Sequence, residues 1–233
     1  LTQALHRCLR RTTFRQGVQA LQWAISYPNK LKKAGIFATA TKSSTQNIAM
    51  NEVGREAIRK DKNFMEGDYL NHNVKPKSGL KTARMLGHIT YSSEDIMDQK
   101  FGRKFQDIKS KIEGTVDYEV ENYLQYKGEK FSDTFDANSY ILMTKAMDGY
   151  DASFSSNGSL EEVMKRIKAK LLVVGFDSDW LYPPKRSKEI QLAAMNVDVE
   201  CSCVILKGEQ GHDSFLFASD RYVAIIKGFL DSK

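Results

Sequence analysis

The stretch Leu171-Leu172-Val173-Val174-Gly175-Phe176-Asp177-Ser178-Asp179-Trp180-Leu181-Tyr182-Pro183-Pro184 constrains the fold more than any other. Its first half is a short apolar run closed by a glycine, the pattern of a strand buried on both faces of a parallel sheet. Its second half sets two carboxylates, Asp177 and Asp179, in the loop just past the strand's carboxyl end. Open α/β sheets gather their chemistry at that edge. One strand later, Gly211-His212-Asp213 again follows an expected strand. A carboxylate and then a histidine on successive loops is an order in which a nucleophile–base–acid triad places two of its members. A second reading has Asp179 capping the next helix and His212 as an ordinary loop histidine. Spacing alone leaves both open.

A chain of 233 residues can enclose one sizeable core, or one domain with a helical insertion. The net charge of +6 is uneven: residues 1–51 hold eight Lys/Arg and no acid, leaving 27 basic against 29 acidic residues. The basic balance therefore comes from the N-terminal fifth, and no nucleic-acid signature follows it. No run of ~18 apolar residues offers a membrane span. Cys8, Cys201 and Cys203 make no disulfide framework and fit a reducing, cytoplasmic compartment. Cys201 and Cys203 share one face of a strand and read as small buried apolar residues rather than a metal pair, so no metal site is expected.

Along the chain, 17–27 reads as a helix stopped by Pro28, and 34–40 as a short strand. Ser43 or Ser44 caps a helix to about Lys60. Residues 61–80 read as loop, 80–91 as helix, and Ser93 as the cap of a short one. The charged segment 100–116 reads as surface. Two helices follow, over 118–126 and 136–147, the second capped by Asp136. Ser159-Leu-Glu-Glu162 opens another, up to about Lys168. After the strand at 169–175 come a helix at 184–195, a strand at 199–206 and a last helix over about 214–230. The class is α/β with three strands, few for so much helix.

Seven collinear motifs resemble the homoserine O-acetyltransferase family. They are Gly17-Val-Gln-Ala-Leu-Gln-Trp-Ala-Ile-Ser-Tyr-Pro28, Gln46-Asn-Ile-Ala-Met-Asn-Glu-Val53, Ala83-Arg-Met-Leu-Gly-His-Ile-Thr-Tyr91 and Tyr126-Lys-Gly-Glu-Lys-Phe131. Phe135-Asp-Ala-Asn-Ser-Tyr140, Asp177-Ser-Asp-Trp-Leu-Tyr-Pro-Pro184 and Gly211-His-Asp213 complete the set. The resemblance implies a partial α/β-hydrolase fold over 17–233, with late parallel strands, flanking helices and a helical lid at about 80–160. It implies acyl transfer from acetyl-CoA, as co-substrate rather than resident cofactor, to the hydroxyl of L-homoserine in methionine biosynthesis. His212 would then be the base and Asp179 its orienting carboxylate. Asp179 is preferred to Asp177 because it stands four before Pro183, a spacing common after this strand in such hydrolases. By the same resemblance Arg84 would hold the substrate carboxylate, Tyr91 would line its pocket and Asp213 would meet its ammonium. A homodimer through the lid helices is a further implication. Read without the family, these three are a surface arginine, a core tyrosine and a capping aspartate.

The likeness stops at Gly17. The family's serine elbow, Gly-Gly-Ser-Met-Gly-Gly, would put its serine at Phe14, among Thr12, Thr13, Arg15 and Gln16. No Gly-x-Ser-x-Gly occurs in the chain. The elbow needs glycines for its strained turn and a side chain that can carry an acyl group, and phenylalanine offers neither. The basic segment 1–16 reads as unrelated or frame-shifted sequence. The chain is expected to be the later portion of such an enzyme, inactive alone. The alternatives are a non-catalytic remnant that only binds or associates, or a relative using succinyl-CoA or serine.

Overall fold

The computed structural model describes residues 14–106 and 118–232. Most of the basic segment, with Cys8, lies outside the described residues, as does most of the charged segment expected at the surface over 100–116. The described chain forms two compact units, one of residues 14–42 and 150–232 around a sheet, the other Ser43–Gly149, all helical.

In the sheet unit, β1 (Lys33–Phe37), β2 (Lys170–Phe176) and β3 (Cys201–Leu206) lie in that order, all parallel. Ile36 pairs with Val173, and Val173 with Cys203. β2 is central and buried along nearly its whole length, as its unbroken apolar run requires. Alternation sends Ile36, Leu171 and Val173 to one face. There they meet Leu21 and Ile25 of α1 (Phe14–Ser26) and Ile190 and Ala194 of α8 (Pro184–Met195). Leu172, Val174 and Phe176 go to the other, against Tyr222 and Ile226 of α9 (Asp220–Asp231). Short α7 (Leu160–Met164), capped by Ser159, adds Val163 and Met164 to the first layer.

β1 stops three residues earlier than expected, because Ala38 takes a left-handed backbone (φ 45°). Its N–H still reaches the Val174 carbonyl (2.9 Å). Beside it, Gly17 fits because a β-carbon there would lie 2.8 Å from both the Phe37 carbonyl oxygen and Thr39 Cβ. The last helix starts at Asp220 rather than near Ser214. Ser219 supplies the cap, accepting from the Tyr222 N–H, and Gly211–Leu216 forms a separate 3-10 turn.

The helical unit holds α2 (Thr45–Arg59), α3 (Lys77–Tyr91), α4 (Glu94–Lys100), α5 (Glu119–Thr134) and α6 (Ala137–Asp148). Residues 43–79 cluster with these helices, and residues 150–160 with the sheet. Ser44, Ser93 and Asp136 cap α2, α4 and α6 through the N–H groups of Asn47, Ile96 and Ser139. α5 runs eight residues beyond its expected end, straight through Gly128. That glycine is a contact point rather than a stop: a β-carbon there would lie 2.8 Å from the Lys81 carbonyl oxygen on α3. Gly79 does the same against α2, where a β-carbon would fall 2.5 Å from Ile58 Cα. Buried Arg55 joins α2 to α6 through Asp148 (2.6 Å) while also holding Glu52 (2.7 Å).

Candidate active site

β2 and β3 end side by side, with Phe176 paired to Leu206, so their following loops leave the sheet together. Asp177 N–H donates to the Leu206 carbonyl (3.0 Å), adding one more ladder bond. Three side-chain bonds then link the loops in sequence. Asp177 Oδ1 accepts from Gly208 N–H (2.8 Å), and Ser178 Oγ accepts from Gly211 N–H (3.1 Å). Asp179 Oδ2 meets His212 Nδ1 at 2.9 Å. Of the two carboxylates, only Asp179 touches the imidazole. It is 1% exposed, and its other oxygen accepts from Tyr182 N–H (2.8 Å), so both are engaged.

That turn bond is not a helix cap. α8 is preceded by Pro183, which makes no side-chain capping bond. His212 is 4% exposed, with its ring 5.2 Å from that of Tyr182 and 5.3 Å from that of Phe215. An ionised carboxylate only accepts, so this contact favours the tautomer with its proton on Nδ1 and its lone pair on Nε2. Such a ring is set to take a proton at Nε2, with a carboxylate behind it to balance the charge gained. The 3-10 turn is fixed in its own right: Ser214 Oγ accepts from Gln210 N–H (3.1 Å) and Gly211 has a φ of 70°. Asp213 follows His212 in this turn and is half-buried.

Arg84 and Tyr91 belong to α3, in the helical unit. The Arg84 guanidinium lies 4.9 Å from the centre of the Phe131 ring and 5.7 Å from that of Tyr91. It forms no salt bridge among the described residues. Burial, then the charges of Arg84 and Lys127, push the His88 imidazole down to about 4. Its Nδ1 stands 3.3 Å from the Tyr123 hydroxyl. Burial, with the nearby Tyr91, pushes the Tyr140 phenol up to about 12. Phe14, the residue set in the serine position by the resemblance, is the first residue of α1.

Sequence reasoning missed Ser178, and it saw in Asp177 only a rival to Asp179. The signal was present: three consecutive polar residues straight after a buried strand, opposite a loop with two glycines. Cys201 and Cys203 are half-buried against the core rather than fully enclosed, and burial pushes the Cys201 thiol up to about 11. Among the described residues, no group of three or more His, Cys, Asp or Glu could hold a metal ion, and no helix is long and apolar enough to cross a membrane.

No family model matches the chain. A homoserine O-succinyltransferase of Marinomonas sp. (strain MWYL1) is 45% identical over 214 residues, which is 92% of this chain and 56% of that protein. One from Acinetobacter baumannii is 47% identical over 92% of this chain and 55% of its own length. The chain thus spans a little over half the length of the curated relatives it matches. The crystal structure of homoserine O-acetyltransferase from Bacillus anthracis superposes with a TM-score of 0.85 at 20% identity, covering 93% of this chain and 58% of that one. The chain is therefore a partial α/β-hydrolase fold whose curated relatives, over nearly all of its own length, include homoserine O-succinyltransferases.

Proposed function

We propose that this chain carries the acid–base half of a homoserine O-acyltransferase. The reading is carried by one observation, the buried bond between Asp179 and His212 on adjacent post-strand loops. In that role His212 Nε2 takes the proton of an attacking hydroxyl, which opens the acyl-CoA thioester. The proton passes to the departing thiolate, and CoA leaves as the thiol. His212 then deprotonates the homoserine hydroxyl, which takes the acyl group, and returns that proton to the departing first oxygen to restore its hydroxyl. Asp179 holds the ring in the working tautomer throughout. Arg84, lying over two aromatic rings and with no ion pair among the described residues, suits two-point binding of the amino-acid carboxylate. Tyr91 would line that site and Asp213 would face the ammonium. Exposed Leu142 and Tyr126 of the helical unit would support a homodimer.

For the donor, we favour succinyl-CoA over acetyl-CoA. The relatives at 45–47% identity are named succinyltransferases, whereas the acetyltransferase structure is only 20% identical. The attacking hydroxyl does not come from a Gly-x-Ser-x-Gly elbow in these 233 residues, so the chain alone should release no free thiol from either donor with homoserine. Residues 17–233, joined behind the matching early portion of the Marinomonas relative, should transfer succinyl. In that chimera His212→Asn or Asp179→Asn should lower kcat by a factor on the order of 10⁴. A chimera that folds and still works with both residues replaced would sink the reading. Preference for acetyl-CoA would overturn only the donor.

A further inference from the structure

We infer that Asp177 and Ser178 are positioning residues whose side chains hold the His212 loop in the register that brings Nδ1 to Asp179. As a role in catalysis this rests on the acyl-transfer reading above; as geometry it stands on the bonds themselves. Residues 177, 178 and 179 each bond one partner on the opposite loop, at 208, 211 and 212 in the same order. The first two bonds end on backbone N–H groups, so they fix the course of the main chain and not merely a side chain. Gly211 N–H is one residue from the imidazole, and its φ of 70° is one that glycine takes without strain, so the Ser178 bond sets the position of that backbone rather than relieving it. Gly208 sits where a β-carbon would come within 2.6 Å of Ser214 Oγ, so the loop is already pressed against the 3-10 turn. Neither Asp177, which is exposed, nor Ser178, which is half-buried, belongs to a core cluster. Their side chains therefore answer to the loop rather than to packing. Asp179 closes the set as the only member that touches the imidazole.

The test uses the full chain, labelled with nitrogen-15, and reads the imidazole directly. Among four histidines, the His212 signals are identified by their loss in His212→Asn. In the wild-type chain the ring should show a proton on Nδ1 that exchanges slowly with water. Ser178→Ala and Asp177→Ala should each speed that exchange roughly fivefold to tenfold, the loss of one loop hydrogen bond. Ser178→Thr, which keeps the hydroxyl, should restore slow exchange. Unchanged exchange in both alanine variants would overturn the inference, as would equal acceleration in Ser178→Thr. If Ser178→Ala does not fold, Asp177→Ala at its exposed position decides alone. Failure of acyl transfer would appear differently, as a dead chimera whose His212 proton is still protected and still sensitive to Ser178.

Discussion

The sheet unit and the helical unit hold polar side chains by different means. In the sheet unit, Asp179, Asp177 and Ser178 accept from main-chain N–H groups or from one imidazole, so each depends on the path of a loop. In the helical unit, Arg55, Asp148, Glu52 and Asn51 bond one another through side chains carried on rigid helices. The first arrangement fixes one atom's direction through main-chain donors. The second ties helices together with ion pairs that must remain complete. A site that moves a proton gains from the first kind, since its ring must point one way before substrate arrives.

That contrast can be broken by substitution. The largest loss should follow Arg55→Ala, which leaves Asp148 with Asn51 but no cation among the described residues, while Glu52 keeps Arg59. We expect about 3 kcal/mol, the low end for a broken buried pair because the Asp148 side chain is still 13% exposed. Urea unfolding followed by circular dichroism measures it. A smaller loss should track pH through His88. Its imidazole is held at about 4 in the folded chain, against 6.5 as the ordinary value. Below 6.5 the unfolded chain takes up a proton that the folded one refuses. Stability should therefore fall as pH drops from 6.5 to about 4, by roughly 1–2 kcal/mol because the half-buried ring is partly screened by solvent, and His88→Gln should flatten that slope. Next comes Gly79→Ala, where the clash is with the backbone of α2; it should cost about 1–3 kcal/mol in a thermal melt. The smallest effect should have the opposite sign. Tyr222 buries a hydroxyl with no partner among the described residues, so Tyr222→Phe should be neutral or stabilising by up to about 1 kcal/mol. Clear destabilisation there would mean the sheet unit relies on that hydroxyl after all.

Caps and strands were legible because their causes are local. Ser44, Ser93, Asp136 and Ser159 each cap the helix that follows, and the apolar run at 170–176 is the central strand. The extent of α5 was not legible, since Gly128 inside a helix makes sense only once Lys81 of α3 is known to press against it. The 3-10 turn at Gly211–Leu216 was merged with the last helix for a related reason: its support is Ser214 reaching back to Gln210, which no apolar period records. Asp179 was chosen over Asp177 from its distance to Pro183, and the imidazole contact falls on the same residue. The part played by Ser178 needed the opposite loop to be in place.

The laddered loops past β2 and β3 bear on what kind of change this edge tolerates. Because the partners run in parallel order, deleting or inserting one residue between 176 and 179, or between 206 and 212, would misalign several bonds together. A point replacement removes only one. Spacing here is thus more tightly held than spelling, and among distant kin these two segments should keep their length even where their letters drift.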